Sequence, residues 1–276
     1  MSDAAGATRY YHDMRYRSWG MILAAMVAAF ASATASASAM DKGVLVGRSI
    51  HRLPLHDPLT DHVNYLLYVP PSYSRGPVSE WPLILFLHGS EQRGDDPELL
   101  QDMALLAFAE KAGDFPFIAV FPQCPQNIHW PPRIVKKVLD SVESELRIDR
   151  DRVYLTGFSL GGYGTWQTAA AFPRIFAAIA PICGMSDLPE VPRLTGIPIW
   201  AFHGAQDVNV PVTESRKMID TLRKSGVNAR LTVYPALAHD CWTMTYLDSR
   251  LYVWFLDHSL SEGARMAAYR LCDYSH

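Results

Sequence analysis

The feature that most constrains the fold of this chain is a regular alternation, from residue 82 onward, of apolar segments with segments of helical periodicity. The segments "PLILFLHG" (82–89) and "FIAVFPQ" (117–123) are apolar at both alternating sets of positions, which is typical of strands covered on both faces. Residues 97–113 and 132–146 instead place their apolar side chains at helical spacing. This alternation predicts the α/β fold class, in which a mostly parallel sheet carries helices on both faces.

The rest of the chain continues the pattern. Further strands of the same apolar character are predicted at 152–159, 176–183, 198–204 and 229–236. Further helices are predicted at 160–172, 212–226 and 246–258. Two earlier segments, 43–50 and 64–70, flank the turn-like "LPLHDPLTD" and are expected to join the sheet as an antiparallel edge. Ligands bind at the carboxyl ends of the strands in such sheets, so functional residues are expected there.

A glycine-rich turn follows the strand predicted at 152–159. The segment "GFSLGGYGTW" (157–166) places Ser159 between Gly157 and Gly161, directly before a predicted helix. In this strand–turn–helix context the G-x-S-x-G spacing is typical of a nucleophile elbow, where glycines avoid clashes in a sharp turn and the serine hydroxyl stands out at the sheet edge. The helix N-terminus favours developing negative charge. Ser159 is therefore the candidate catalytic nucleophile, and a purely structural glycine turn is the alternative.

A serine hydroxyl needs a base to become a good nucleophile. His239 in "YPALAHDCW" follows the last predicted strand, in a loop from which it can reach Ser159. The nearest competitors are His88 and His203, which each precede a glycine at a strand end. The chain order nucleophile, acid, base favours His239, since only the weak candidate Asp187 lies between Ser159 and His203 near a strand end.

The candidate acid is Asp207 in "FHGAQDVNVPV", which follows the strand at 198–204. A carboxylate there can accept a hydrogen bond from the second imidazole nitrogen, fix its tautomer and stabilise the imidazolium. The structural alternative for Asp207 is an Asx turn. Asp240 is the rival acid, but it is adjacent to His239 in sequence, and neighbouring side chains diverge.

Two backbone N–H groups are needed to hold the oxyanion of an acyl-transfer intermediate. Leu160, directly after the candidate nucleophile, and Ser90, in the loop "HGSEQRGDD" after the strand at 82–87, are predicted to supply them. The alternative for Ser90 is an ordinary loop at the end of a strand. Trp130 is a weaker candidate, as a wall of the substrate pocket, and a core or surface tryptophan is an equal alternative.

Six segments occur in an order that has a family likeness: "FLHGSEQRGDD", "FPQCP" with Trp130, "GFSLGGYGTW", "PICG", "FHGAQDVNVPV" and "YPALAHDCW". Over about residues 45–258 the chain resembles the secreted α/β-hydrolase esterases grouped with phospholipase/carboxylesterase and polyhydroxybutyrate-depolymerase-like enzymes, whose relatives are called predicted peptidases. The resemblance implies the α/β-hydrolase fold, a catalytic triad of Ser159, Asp207 and His239, and oxyanion-hole amides at Ser90 and Leu160.

The chain departs from that resemblance in three places. Relatives have H-G-A-G-E-R-G where this chain has "HGSEQRG", so Glu91 replaces a glycine and is a candidate for the mouth of the substrate pocket. Relatives often have serine where Cys241 stands and a Gly-Gly run where "GMSD" (184–187) stands. These departures bear on substrate choice and leave the triad pattern unchanged.

The first 39 residues differ in character from the rest. Basic residues near Arg15, the apolar run 21–30 and the small residues 31–39 follow the order of a secretory signal, with cleavage expected after Ala39. An uncleaved anchor or a disordered tail is the alternative, and translation begins at Met1 or Met14. The predicted organisation is a signal peptide at 1–39 and one α/β-hydrolase catalytic domain at 40–276, with a short tail from about 260.

The composition of the chain limits which partners and which location are expected. The formal net charge is −3 and basic residues do not cluster, so nucleic acid is not an expected partner. The run 21–30 is short for a membrane span, and no stable span is expected in the mature chain, which we expect to be secreted or periplasmic. Four cysteines, Cys124, Cys183, Cys241 and Cys272, allow three full disulfide pairings between which the sequence does not decide, and Cys124 and Cys183 are also expected as buried thiols.

The sequence therefore predicts a serine hydrolase that cleaves carboxylic esters through an acyl-enzyme, with a small-molecule or carbohydrate ester as substrate. No metal or organic cofactor is expected, because no ligand cluster such as H-E-x-x-H occurs. A serine peptidase of the prolyl-oligopeptidase type is the alternative within enzymes. A hydrolase scaffold kept as a binding module is the alternative from another class.

Overall fold

The predicted alternation of strands and helices folds into one eight-stranded sheet in the computed structural model, which describes residues 44–74, 80–185 and 188–260. The predicted signal segment, Asp187, Cys272 and the tail beyond 260 lie outside the described residues. The strands are β1 (Gly47–Asp57), β2 (Thr60–Val69), β3 (Trp81–Leu87), β4 (Ile118–Pro122), β5 (Ile148–Phe158), β6 (Ala178–Ile182), β7 (Ile199–Gly204) and β8 (Ala229–Tyr234).

Helices connect the parallel strands. Within the described residues the α-helices are α1 (Ala104–Ala112), α2 (Pro132–Glu145), α3 (Leu160–Ala171), α4 (Val212–Lys224), α5 (Trp242–Tyr246) and α6 (Ser249–Leu256). Short 3-10 helices lie at Pro71–Ser74, Ser90–Gln92, Pro97–Leu100 and Leu188–Leu194.

The strand order is β1-β2-β4-β3-β5-β6-β7-β8. The pairs β1–β2 and β2–β4 are antiparallel, and every other neighbouring pair is parallel. Both predictions, a mostly parallel sheet and an antiparallel edge built from the first two strands, are confirmed. The parallel strands β3 and β5 to β8 end side by side, which brings the loops that follow them to one edge of the sheet.

Helices cover the sheet on both faces, as predicted. Ile84 and Phe86 of β3 belong to a buried cluster that also contains Leu105 of α1 and Phe255 of α6. The alternating residues of β3 on the opposite face, such as Leu85, are also fully buried but lie outside that cluster. On this second face α3 packs against β3, β5 and β6. The central strands β3, β4, β6 and β7 are apolar along nearly their whole length because they are buried on both faces.

Three predicted elements differ from those observed. The segment expected to be a turn between the first two strands is mostly strand, because β1 extends to Asp57 on an edge that tolerates Pro54. The helix predicted at 97–113 is a capped 3-10 turn followed by α1. The helix predicted at 246–258 is shorter in the structure, where α6 begins only at Ser249, because the Asp248 carboxylate accepts from the Arg250 amide and caps the helix start.

A separate observation concerns membranes. In the three described ranges, no helix combines the length and the apolar character that crossing a bilayer requires. The apolar run at 21–30, on which the prediction of a secretory signal depends, lies outside those ranges.

Candidate active site

The predicted site residues meet at the carboxyl edge of the sheet. Ser159 follows β5 directly, Asp207 follows β7 by three residues and His239 lies in the loop after β8. The paired residues Gly204 of β7 and Tyr234 of β8 show that these last two strands end together. The edge therefore collects a hydroxyl, a carboxylate and an imidazole from three separate connections.

Ser159 occupies a strained turn. Its φ of 53° lies in the left-handed region that side chains other than glycine rarely adopt. The turn is close-packed, because a methyl group at Gly161 would lie 1.9 Å from the Leu87 carbonyl oxygen and one at Gly157 would lie 2.5 Å from the Gly161 carbonyl oxygen. The Ser159 amide donates to the Ile182 carbonyl oxygen at 2.9 Å. These contacts fix the backbone so that the side chain projects at the start of α3.

Ser159, His239 and Asp207 form one hydrogen-bonded chain. His239 Nε2 lies 2.9 Å from Ser159 Oγ, and His239 Nδ1 lies 2.7 Å from Asp207 Oδ2. A carboxylate only accepts hydrogen bonds, so Nδ1 must be the donor to Asp207. Nε2 is then free to accept the proton of the Ser159 hydroxyl, which is the tautomer a general base requires.

Asp207 is held as a carboxylate by three hydrogen-bond donors. Its side chain is fully buried, and burial by itself would raise its pKa. The hydrogen bond from His239 and those from the amides of Val210 and Asn209, both 2.9 Å from Oδ1, outweigh burial and lower the pKa of Asp207 below its usual value. The two amide bonds are the Asx-type turn that was the structural alternative, so the turn and the contact with His239 coexist.

His203 is a close neighbour of Asp207, and this contact was not predicted from the sequence. Its ring is fully buried, and Nε2 lies 2.8 Å from the Val210 carbonyl oxygen and 3.2 Å from Asp207 Oδ2. Both neighbours are acceptors, so Nε2 carries a proton, while Nδ1 lies 2.7 Å from the Ser215 hydroxyl. The i, i+4 spacing of His203 and Asp207 was the only sequence signal for this contact.

His88, the other competitor for the base, shapes the loop after β3. Nδ1 donates to the Gly89 carbonyl oxygen at 2.6 Å, and Nε2 accepts from the Cys124 amide at 3.0 Å, so the ring is neutral. Burial lowers the pKa of His88 to about 4. Trp130 is almost completely buried and donates from its indole nitrogen to the His88 carbonyl oxygen at 3.0 Å. Its contacts are those of a packing residue, with Gly164 against its ring.

The two predicted oxyanion donors lie on adjoining segments. Leu160 is the first residue of α3, where a backbone N–H has no acceptor within the helix, and Ser90 is the first residue of a 3-10 turn. The close approach of Gly161 to the carbonyl oxygens of Leu87 and His88 brings the end of β3 against the first turn of α3. Ser90 and Glu91 are both solvent exposed, as the mouth of a site requires.

Trp242 contacts the candidate base His239, and this contact was not predicted from the sequence either. Its ring stacks on Phe158 at 4.4 Å between ring centroids and meets the His239 ring edge-on at 5.4 Å. The position three residues after His239 was visible in the sequence, but nothing there indicated which ring it would touch. Trp242 limits how far the imidazole can tilt.

Two polar candidates remain: the rival acid Asp240 and a group of possible metal ligands. Asp240, the rival acid, is exposed and accepts from the Thr243 hydroxyl at 3.0 Å instead of orienting His239. Among the described residues, one group offers three possible metal ligands within 4.8 Å of one another: Cys183, Asp207 and His239. The hydrogen bond between Asp207 and His239 already accounts for the closeness of that pair.

Residues 126–243, which include all three members of the hydrogen-bonded chain, match the family model described as the dienelactone hydrolase family. The chain is 30% identical over 138 residues to the bifunctional acetylxylan esterase/xylanase XynS20E of Neocallimastix patriciarum, covering 46% of this chain and 19% of that protein. It is also 42% identical over 50 residues to poly(3-hydroxyalkanoate) depolymerase C of Paucimonas lemoignei, a match that covers 18% of this chain and 12% of that protein.

A solved structure extends the likeness over most of the chain. A thermostable esterase of known crystal structure is 32% identical in sequence to this chain and superposes on it with a TM-score of 0.67. The match covers 76% of this chain and 63% of that one. The chain thus spans less than two thirds of the length of each of these relatives. The described residues have the α/β-hydrolase fold, and the resemblance to α/β-hydrolase esterases is confirmed.

Proposed function

We propose that this α/β-hydrolase chain cleaves carboxylic esters through an acyl-enzyme on Ser159, with His239 as base and Asp207 as the carboxylate that orients it. The observation that carries the proposal is the continuous hydrogen-bonded chain from the Ser159 hydroxyl through His239 to the buried Asp207. The esterase names among its relatives support the ester as the bond that is cleaved.

Acylation begins when Ser159 Oγ attacks the ester carbonyl carbon. His239 Nε2, 2.9 Å from Oγ, takes the hydroxyl proton as the new C–O bond forms. The imidazolium that results is stabilised by Asp207, which keeps its negative charge because its pKa is lowered. His239 then gives the proton to the departing alkoxide, and the alcohol leaves.

The oxyanion of each tetrahedral intermediate is assigned to the amides of Leu160 and Ser90. Leu160 heads helix α3, so its N–H points away from the helix at the end of the helix dipole that favours negative charge. Ser90 is placed in the same role because its turn adjoins the first turn of α3. One such donor is worth about 10²–10³ in rate in other enzymes.

Deacylation repeats these steps with water. His239 removes a proton from a water molecule that attacks the acyl carbonyl, and the acid product leaves as Ser159 regains its proton. In both half-reactions His239 is therefore the group that accepts and donates the proton.

For the substrate and the location, we propose a small-molecule or carbohydrate ester met outside the cytoplasm. The exposed position of Ser90 and Glu91 supports a site that is open to soluble esters. The signal-like order of residues 1–39 supports export and removal of that segment. Nucleic acid is not a proposed partner, since the net charge is −3 with basic residues dispersed.

The proposal is tested by hydrolysis of p-nitrophenyl esters from acetate to palmitate, with matched aminoacyl p-nitroanilides as amide substrates. Both series release chromophores, so they separate an esterase from a peptidase. We expect turnover of esters and a fall of at least about 10³-fold in kcat/KM for Ser159→Ala. The ester chain length that gives the highest kcat/KM reports the size of the acyl site.

A folded protein that hydrolyses no ester of any chain length would contradict the proposal. Turnover of anilides in preference to esters would support the peptidase alternative. Circular dichroism of Ser159→Ala, compared with the unmodified chain, serves as the control that its fold is intact.

A further inference from the structure

Two of the buried cysteines lie together behind the candidate active site. Cys183 and Cys241 are each 0% exposed and belong to the same core cluster. The Cys183 thiol lies within 4.8 Å of a ring nitrogen of His239, and Cys241 follows His239 by two residues with its amide bonded to the His239 carbonyl oxygen, so the two cysteines are neighbours behind the imidazole. The third described cysteine, Cys124, lies elsewhere, with its thiol 3.7 Å from the Ile128 carbonyl oxygen. All three are free thiols in the structure.

The two cysteines belong to different parts of the site. Cys183 follows β6, whose last residue Ile182 accepts from the Ser159 amide, and the Cys183 amide itself donates to the Phe202 carbonyl oxygen of β7. Cys241 donates its amide to the His239 carbonyl oxygen at 2.8 Å, so it lies at the far end of the loop that carries His239. The Cys183 thiol is also within 4.8 Å of the side-chain ligand atoms of His239 and Asp207.

We propose that Cys183 and Cys241 form a disulfide bond when the chain meets a protein disulfide or a small disulfide such as oxidised glutathione, and that this bond clamps the His239 loop to the end of β6. A bond at this place joins the segment that positions Ser159 to the segment that positions His239. The proposal concerns a covalent link and does not depend on the reaction that Ser159 performs.

The exchange balances as two successive attacks. One cysteine loses its proton and its thiolate attacks the oxidant disulfide, which forms a mixed disulfide and releases one thiol. The second cysteine then attacks the mixed disulfide, the Sγ–Sγ bond forms and a second thiol leaves. Two electrons pass from the cysteine pair to the oxidant.

Burial decides when the exchange takes place. The thiolate is the reacting species, and burial, followed by the neighbouring Cys241 thiol, raises the pKa of the Cys183 thiol well above its usual value. The folded, reduced protein is therefore slow to react, whereas the chain reacts readily before its core has closed. An exported chain folds in an oxidising compartment, which is where such a bond forms.

The experiment refolds the full chain from urea in a glutathione redox buffer and, in parallel, in dithiothreitol. Remaining thiols are alkylated, and the protein is cleaved with trypsin for mass spectrometry without reduction. The four cysteines fall on separate tryptic peptides, at residues 112–133, 175–193, 231–250 and 271–276, so each pairing gives a distinct linked mass. We expect 175–193 linked to 231–250, with the Cys124 peptide alkylated.

Thermal unfolding supplies a second readout. Reduction of the oxidised protein should lower Tm by about 5–15 °C, since the bond closes a long loop. The variants Cys183→Ser and Cys241→Ser should lose this sensitivity to reductant, and the matched control Cys124→Ser should keep it. Cys272→Ser should also keep it, which excludes the fourth cysteine as a partner.

Two results would overturn the proposal. One is a refolded, oxidised protein in which the peptides of Cys183 and Cys241 are both alkylated. The other is a link from either of them to Cys124 or Cys272. Because the peptide map needs no enzyme assay, either result is distinguishable from a failure of the esterase proposal.

Discussion

The dipeptide His-Gly occurs at the ends of both β3 and β7 and is used in different ways. It follows β3 directly as His88-Gly89 and forms the last two residues of β7 as His203-Gly204, each time with a buried histidine ring and a close-packed glycine. His88 bonds only to backbone, and the loop that it shapes carries Ser90, whose proposed role needs a main-chain amide. His203 contacts a side chain, the carboxylate of Asp207. One loop therefore presents backbone to the site and the other presents a buried charge.

Because of this difference, we expect the two loops to respond differently to substitution. A loop that presents an amide tolerates side-chain changes as long as its backbone path is kept. A loop that presents a carboxylate depends on one side chain and on the donors that hold it. Four substitution experiments test this contrast.

The largest effect is expected for Asp207→Asn. The amide cannot fix the Nδ1–H tautomer of His239 or stabilise the imidazolium, so kcat for ester hydrolysis should fall by about 10³–10⁴ with the fold retained. The matched control is Asp240→Asn, which removes the exposed neighbouring carboxylate and should stay within about threefold, since surface changes are usually small. Equal losses in the two variants would remove Asp207 from its proposed role.

The glycines give the next largest contrast. A methyl group at Gly204 would lie 2.0 Å from the Ala238 carbonyl oxygen, so Gly204→Ala should push the backbone that carries His239 and cost about 10² in kcat. At Gly89 the nearest atom is the ring of Phe158 at 2.7 Å, a side chain that can shift. Gly89→Ala should then cost less in kcat, with about 1–3 kcal/mol of stability lost to overpacking. A larger kcat loss at Gly89 would contradict the contrast.

His203→Phe should lower kcat by about tenfold with KM unchanged. The buried ring nitrogen that lies 3.2 Å from the Asp207 carboxylate is lost, but the three hydrogen bonds that Asp207 accepts remain, so the effect is smaller than that of Asp207→Asn. Steady-state kinetics on one ester measure the effect, with His203→Gln as a variant that can restore a donor. If His203→Phe changes stability but leaves kcat as it was, His203 is a packing residue and does not position Asp207.

These contacts mark the limit of what the sequence could predict. The elbow was predictable because Gly157, Ser159 and Gly161 are close in sequence and stand between a predicted strand and a predicted helix. The positions of His239 and Asp207 followed from strand order and chain order. The contacts of His203 and Trp242 were not predictable, since they depend on how close separate loops approach after folding. The start of the last helix was predicted too early because the helical periodicity of the sequence already runs through Asp248, whose side chain caps the helix in the structure.

The prediction with the smallest effect on activity at neutral pH concerns acid stability and involves His88 alone. Its pKa is about 4 when folded against 6.5 as the usual value, so the unfolded chain binds the proton more readily. The stability that His88 contributes is fully present above about pH 6.5 and is lost as the pH falls toward 4, roughly 3 kcal/mol in total. Urea unfolding from pH 7 to 4 should show a shallower loss for His88→Gln than for the unmodified chain.

The exposed residue His56 supplies the matched control for that series. His56→Gln should follow the unmodified chain across the whole pH range. If His88→Gln and the unmodified chain lose stability in parallel, the His88 ring is not kept neutral by the fold, and the loop after β3 is shaped by other contacts.

The most direct test of the central claim is covalent labelling by a fluorophosphonate, which reacts with an activated serine and leaves one phosphonyl group on it. We expect a single label per chain, located by mass spectrometry on the tryptic peptide of residues 153–174 at Ser159, and a loss of ester hydrolysis proportional to the fraction of chains labelled. Ser159→Ala should take up no label. A label on another residue, or full ester hydrolysis by a chain labelled at Ser159, would contradict Ser159 as the nucleophile.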